Sequence, residues 1–204
     1  MKQLIESDIP QNTGHDKTAY KRKKQPEQVR NALIESAAAL AVSRGLNGIT
    51  VQAVAQAAGV TKGGFFHHFP HKQALLDAMF DAFLAESERE IDRLIAEDGQ
   101  QSGCFTRAYV IVAFNEIQQG LNSMRVPLSL SMMASPVLCQ RWAAWMNGRL
   151  ERHRRTDSLP LHQMVRLAAD GAWLVQSLVN GDTIRDMQAL RDDLLRLIRE
   201  SDEL

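Results

Sequence analysis

Residues 50–72, TVQAVAQAAGVTKGGFFHHFPHK, constrain this chain more than any other stretch. Val51, Val54, Ala55 and Ala58 recur at helical spacing behind Thr50, a good N-cap, and Gly59 then supplies the left-handed or close-approach backbone that a sharp turn needs. Thr61 caps a second helix, which must be short because Pro70 cannot continue it and disfavours helical geometry at Phe69. The expectation is two short helices joined by a tight turn. The second opens with Thr-Lys-Gly-Gly and presents little side-chain bulk at its N-terminal end, which suits close approach to a major groove.

Helical patterns flank this unit on both sides. Residues 1–25 are polar and end in the basic run Lys21-Arg22-Lys23-Lys24, which reads as a disordered tail whose charge either follows phosphates or is simply solvated. Pro26 and Glu27 are expected to open the first helix, with Val29, Leu33, Ala37, Leu40 and Ala41 on one face and Gly45 at its end. A long amphipathic pattern fills residues 71–99. Its buried face is read as Leu75, Leu76, Met79, Phe80, Phe83, Leu84, Ile91, Leu94 and Ile95. At ~1.5 Å per residue such a helix reaches about 40 Å, enough to connect a head to a separate body. Further helices are expected near 105–118, 127–134, 136–154, 161–180 and 184–198, several opening at or near Pro127, Pro136 and Pro160. No period-two alternation marks a strand, so the fold class is all-α, organised as a tail at 1–25, a head at 26–72 and a body at 73–204.

Composition adds an asymmetry. The chain of 204 residues is formally neutral, yet residues 1–72 carry ten Lys/Arg against five Asp/Glu, and residues 73–204 carry fourteen against nineteen, giving +5 and −5. A basic head on an acidic body suits a protein whose front alone meets a polyanion. Cys104 and Cys139 are too few for a disulfide framework, lack metal-ligand spacing and are expected as buried free thiols. No early apolar run reads as a signal peptide and none is long enough to span a bilayer, so a cytoplasmic location without membrane contact is expected.

The segment resembles the helix-turn-helix of the tetracycline-repressor (TetR) family of transcriptional regulators. The matching residues are Ala58-Gly59-Val60, the small residues from Thr61 to Gly64, Phe65-Phe66, His68-Phe69 and Lys72, with Gly45-Leu46, Ile49-Thr50-Val51 and Val54-Ala55 upstream. The resemblance covers about fifty residues, from Gln28 to about Met79. It implies that Lys62, Gly63, Gly64 and His67 face the groove, Lys62 being placed to donate to guanine. It also implies that Thr50, Thr61, His68 and Lys72 meet phosphates. Phe65 and Phe69 are read as core. The chain departs from the family pattern at Phe66, commonly tyrosine, at Gly64, commonly Ser or Thr, and at His71, commonly a capping Ser or Asn.

Two features of the body bear on function. Met164, Ala168, Gly171, Val175 and Leu178 form one apolar seam, and Met187, Leu190, Leu194 and Leu197 another. They either complete the monomer's core or pair with a second copy, and the family resemblance favours a homodimer. Soft and aromatic side chains also cluster, with Tyr109, Phe114, Met132, Met133, Trp142, Trp145 and Trp173 as candidate linings of a cavity for an apolar or aromatic ligand. Packing alone would use the same residues. Asn115, Gln118, Asp170 and Gln176 are the polar candidates to orient such a ligand.

Other constellations carry less. His67 and His71 share a helical spacing that Pro70 interrupts, and no third ligand stands nearby, so no metal is expected. Asp182 with Asp186, and Asp192 with Asp193, read as solvated helix charges rather than a catalytic pair. Gly63-Gly64 lacks the preceding strand of a phosphate loop. The reading is therefore a non-enzymatic, ligand-responsive DNA-binding regulator, a repressor in the commonest family case. It needs no cofactor, binds an inverted-repeat operator in double-stranded DNA as a homodimer, and is released by a small-molecule effector. The alternative is a helical small-molecule binding protein without sequence-specific DNA binding.

Overall fold

The computed structural model describes residues 16–99, 101–119, 125–179 and 186–200, with side chains from residue 26 onward except at 179. Helix α1 (Asp16–Arg44) begins ten residues before the position expected from Pro26, which lies inside it. An internal proline removes one backbone donor and crowds the preceding turn, a cost of about 3 kcal/mol. Residues 17–25 offset it with Lys, Arg, Ala and Gln, which favour helix, behind an aspartate at the positive helix end. The tail expected at 1–25 is thus helical from residue 16. Residues 1–15 and the side chains of the basic run at 21–24 lie outside the described residues.

Leu33, Ala37, Leu40 and Ala41 of α1 are buried along one stripe, and Gly45, at φ +66°, turns the chain out of the helix. A single 3-10 turn (Leu46–Gly48) leads to α2 (Val51–Ala57) and α3 (Lys62–His68). Thr50 Oγ1 accepts from the Ala53 amide at 3.1 Å, so the expected cap forms. Between α2 and α3, Gly59 adopts φ +68°, and a Cβ there would meet nothing within 4 Å. The turn therefore needs glycine for its backbone conformation and not for close approach.

Helix α4 (Lys72–Asp98) packs its first turns, through Leu75, Leu76, Met79 and Phe80, into the core of α1–α3. Its later turns bury Ile91 and Ile95 against α5 (Cys104–Gln119). Gly99 ends it at φ +75°. The body continues with α6 (Arg125–Met133), α7 (Pro136–Arg152), α8 (Pro160–Val179) and α9 (Met187–Glu200). Pro136 and Pro160 open their helices, where a missing amide costs nothing. No strand occurs among the described residues, and no helix among them is long and apolar enough to cross a membrane.

One buried cluster joins head and body, and a set of ion pairs ties α7 to α4 within the body. Leu128 and Met132 of α6 and Leu138 of α7 belong to the same buried cluster as Leu33, Ile49 and Phe65. Arg149 of α7, 1% exposed, pairs with Asp92 at 2.6 Å and Glu88 at 3.3 Å on α4, while Arg141 pairs with Asp77 at 3.0 Å and with Asp81. Through these pairs α7 is clamped along α4.

Candidate functional site

The exposed end of α3 is built by its cap. Thr61 Oγ1 accepts from the Gly64 amide at 3.1 Å, and Phe65 and Phe69 anchor the opposite face in the core, as expected. Thr50, Thr61, Lys62, Gly63 and His67 remain exposed, while Gly64 and His68 are half-buried. A Cβ on Gly63 or Gly64 would meet its neighbours at 3.4 Å or more, ordinary contact distance. The fold thus tolerates alanine at both sites. Two glycines in a seven-residue helix cost stability without answering any packing need. They leave the exposed end of α3 bare of side chains.

The remaining head residues are fixed around this surface. His71 Nδ1 accepts from the Ala74 amide at 3.1 Å, so the imidazole serves as the N-cap of α4. Lys72 is half-buried and donates to the Leu46 carbonyl at 3.4 Å, tying α4 to the 3-10 turn. That contact makes its charge less free for phosphate than the sequence implies. Desolvation, then the charges of His67 and Arg30, hold His68 below the ordinary imidazole value.

In the body a cavity of about 530 Å³ lies among α4, α5, α6, α7 and α8. Tyr109, Met132, Met133, Trp142, Trp145 and Trp173 line it, as the sequence suggests. Phe114 does not. On α5 the lining residues are Tyr109, Val112, Ala113 and Glu116, one helical face. Phe114 shares the other face with Val110 and Ile117, buried against α8 and α9. Among the polar candidates only Asp170 reaches the cavity, while Gln118 instead bonds Gln188 at 3.1 Å.

Glu116, Ser87 and Ser129, all missed in the sequence, add to the polar lining. Arg125 pairs with Glu116 at 2.8 Å and with Glu86 at 2.9 Å, and donates to Ser87 Oγ at 2.7 Å. Trp173 Nε1 donates to Glu116 at 3.2 Å. Glu116 thus has a cationic partner in Arg125, which it shares with Glu86. Asp170, by contrast, accepts from the Tyr109 hydroxyl at 2.5 Å, a neutral partner. Burial pushes its carboxyl above the ordinary value against the opposing pull of the Tyr109 bond and Arg166, and pushes the Tyr109 phenol well up. The Trp145 indole N–H is buried with no hydrogen-bond partner among the described residues. The cavity thus offers broad aromatic walls and one carboxyl, Asp170, whose hydrogen-bond partner is the neutral Tyr109 hydroxyl.

Five cavity residues, Phe80, Phe83, Leu84, Ser87 and Ile91, come from α4, the helix that follows α3 directly. Met132 faces the cavity and also belongs to the buried cluster of the head. The cavity wall and the head core are therefore partly one structure.

The two apolar seams divide unequally. Met164, Ala168, Gly171 and Leu178 of α8 are exposed, as is Leu167, while Val175 is half-buried. A Cβ on Gly171 would meet nothing within 4 Å, which leaves room for another backbone. On α9 only Leu197 is outward; Leu194 is buried against α5 and α8, and Met187 and Leu190 pack on that same cluster. Their apolar face is used within the subunit. Cys139 also departs from expectation, being exposed, whereas Cys104 is buried.

The architecture is a capped helix-turn-helix joined by one long helix to a helical body with an internal cavity. Residues 33–79 match the family profile "Bacterial regulatory proteins, tetR family", and residues 103–199 match "Tetracyclin repressor-like, C-terminal domain". The regulator BetI of Stenotrophomonas maltophilia is 31% identical over 159 residues, which cover 67% of this chain and 75% of BetI. The repressor KstR2 of Rhodococcus jostii is 29% identical over 97 residues, 48% of this chain and 47% of KstR2, so the chain matches about half its length. The multidrug binding protein EbrR, solved with malachite green, shares the fold with a TM-score of 0.65 at 23% identity, covering 83% of this chain and 97% of that one. The chain belongs to the TetR family of transcriptional regulators.

Proposed function

We propose that the chain is a homodimeric transcriptional repressor of the cytoplasm that reads an inverted-repeat operator and releases it when an effector fills the body cavity. The observation that carries this reading is that α4 supplies both a wall of the cavity and the frame of the reading head. Lys62, Gly63, Gly64 and His67 meet base edges, and Thr50, Thr61 and His68 meet phosphates, with Lys72 acting partly by holding the turn. The exposed stripe Met164, Leu167, Ala168, Gly171 and Leu178, with Leu197, pairs with its copy and sets the distance between the two heads.

The effector is a largely aromatic molecule with one cationic or hydrogen-bond-donating group turned toward Asp170. A chamber of about 530 Å³ suits a ligand of drug size. The dye bound by EbrR gives a first probe, since malachite green is aromatic and cationic. Two half-sites on one DNA face lie ~34 Å apart, so a shift of a few ångströms in head spacing misplaces one α3. Selection of bound duplexes from a random library tests the reading. An inverted repeat is expected; recovery of unrelated sequences would favour a binding protein that does not read sequence, and recovery of single half-sites bound by a monomer would overturn the homodimer.

A further inference from the structure

The first turn of α5, the end of α7 and the α7–α8 turn converge away from the effector cavity. Cys104 is the first residue of α5, His153 follows the last residue of α7, and Asp157 lies in the turn beyond. One ligand atom from each of the three lies within 4.8 Å of the other two. We propose that Cys104, His153 and Asp157 form a binding site for a divalent transition metal ion of the zinc class.

The donor set fits that class. A thiolate, an imidazole and a carboxylate are the ligands zinc takes, at bonds of about 2.0–2.3 Å, which place neighbouring ligand atoms about 3.3–3.8 Å apart in a tetrahedron. Cys104 Sγ already stands 4.0 Å from Asp157 Oδ2. Closing the third corner needs a side-chain shift of about 1 Å on the same bond-length estimate. The Nε2 of His153 is buried and has no hydrogen-bond partner among the described residues, so its lone pair is not committed elsewhere.

The surroundings hold the ligands in place. The His153 ring stacks on Phe105 at 5.3 Å with planes 10° apart. Asp157 accepts from the amides of Phe105 at 3.3 Å and Thr106 at 2.7 Å, and from the hydroxyls of Thr106 at 2.6 Å and Thr156 at 2.8 Å. The Gly103 amide donates to the Thr156 carbonyl at 2.7 Å, fixing the turn on α5. Such outer contacts orient metal ligands and tune their affinity for the ion. The metal would displace the Thr156 hydroxyl from Oδ2, and that hydroxyl keeps the His153 carbonyl at 3.1 Å.

Charge also balances. As the metal–sulfur bond forms, the Cys104 S–H proton passes to water, and thiolate plus carboxylate cancel the two charges of the ion. Neutrality matters here because Arg149 lies over the Phe105 ring at 5.4 Å and Arg166 stands 4.0 Å from Asp157. Half-exposed His153 leaves a route from solvent, and water takes the fourth position. A bound ion would cross-link α5 to α7, two helices that also wall the effector cavity, so the site is placed to stiffen that chamber.

Cobalt(II) titration of the full chain tests the proposal. At one equivalent the wild-type protein is expected to develop thiolate-to-cobalt charge-transfer absorption together with the visible bands of a four-coordinate ion. Cys139→Ser should retain both, Cys104→Ser should lose the charge-transfer band, and His153→Gln should weaken binding by more than about tenfold. Because Cys104 is buried and its replacement could disturb folding, X-ray absorption on the wild-type zinc complex gives a second measure. One sulfur at about 2.3 Å with nitrogen or oxygen neighbours is expected. A shell without sulfur, or a charge-transfer band abolished by Cys139→Ser and kept in Cys104→Ser, would overturn the assignment.

Discussion

Head and body put their working residues in place by opposite means. In the head, Thr50, Thr61, Lys62, Gly63, Gly64 and His67 lie within eighteen residues of sequence and are positioned by local caps and one left-handed glycine. In the body, the cavity is assembled from five helices spanning Phe80 to Leu174. Its character depends on which face of each helix turns inward. The comparison teaches that the surface of α3 is shaped by local side-chain caps and a turn over two buried phenylalanines, whereas the chamber is fixed by packing between distant helices, and the two respond differently to substitution.

The largest expected effect breaks the comparison on the body side. Leu194 lies in the α5–α8–α9 core, so Leu194→Ala should cost about 2–5 kcal/mol of stability in chemical denaturation. Leu178 is 65% exposed, and Leu178→Glu should leave subunit stability within about 0.5 kcal/mol while shifting sedimentation toward monomer and weakening operator binding. If both variants unfold alike, the outward assignment of α8 fails.

On the head side the effects should be felt by DNA and not by the fold. Lys62→Ala is expected to cost about 1–3 kcal/mol in operator affinity, with relaxed preference at one base position of each half-site and an unchanged Tm. Gly63→Ala sharpens the contrast, because helix propensity favours it by up to about 1 kcal/mol while the added methyl stands between α3 and the groove. A higher Tm with weaker binding is the expected pair of results. Unchanged operator affinity would remove Gly63 from the reading surface.

A smaller effect separates stability from function inside the cavity. The folded state holds the Asp170 proton more tightly than the unfolded chain does, because burial raises that carboxyl above its ordinary 3.8. Stability from this group is therefore greatest at low pH and is lost as pH rises through the raised folded value. Asp170→Asn keeps an acceptor for Tyr109 and removes that loss, so the variant should melt higher at neutral pH and show a flatter pH dependence above 4. It should also bind cationic dyes less tightly, measured by tryptophan quenching. An unchanged pH profile would mean that Asp170 is ionised at no cost.

How far each region was legible follows from the same contrast. The caps at Thr50 and Thr61, the turn at Gly59 and the break at Pro70 are local rules, and all of them hold. The start of α1 was misplaced because proline is a strong local signal that neighbouring helix formers outweighed. Phe114 and Leu194 were assigned to the wrong surfaces because an amphipathic stripe says that a face is buried and not against what. Glu116 was invisible as a cavity residue, since its position depends on Arg125 folding back beside it. Cys104, His153 and Asp157 come together only through the packing of α5 on α7 and its following turn.

The central claim is that the chamber and the reading head are coupled through α4 and through α6 on α1. The direct measurement is the affinity of a cavity-binding effector, followed by tryptophan quenching, in the presence and absence of saturating operator duplex. Linkage requires operator to weaken effector binding by the factor that effector weakens operator binding, roughly five- to 150-fold for a coupling of about 1–3 kcal/mol. Equal effector affinity with and without operator would contradict the coupling and leave the head and the chamber as independent parts.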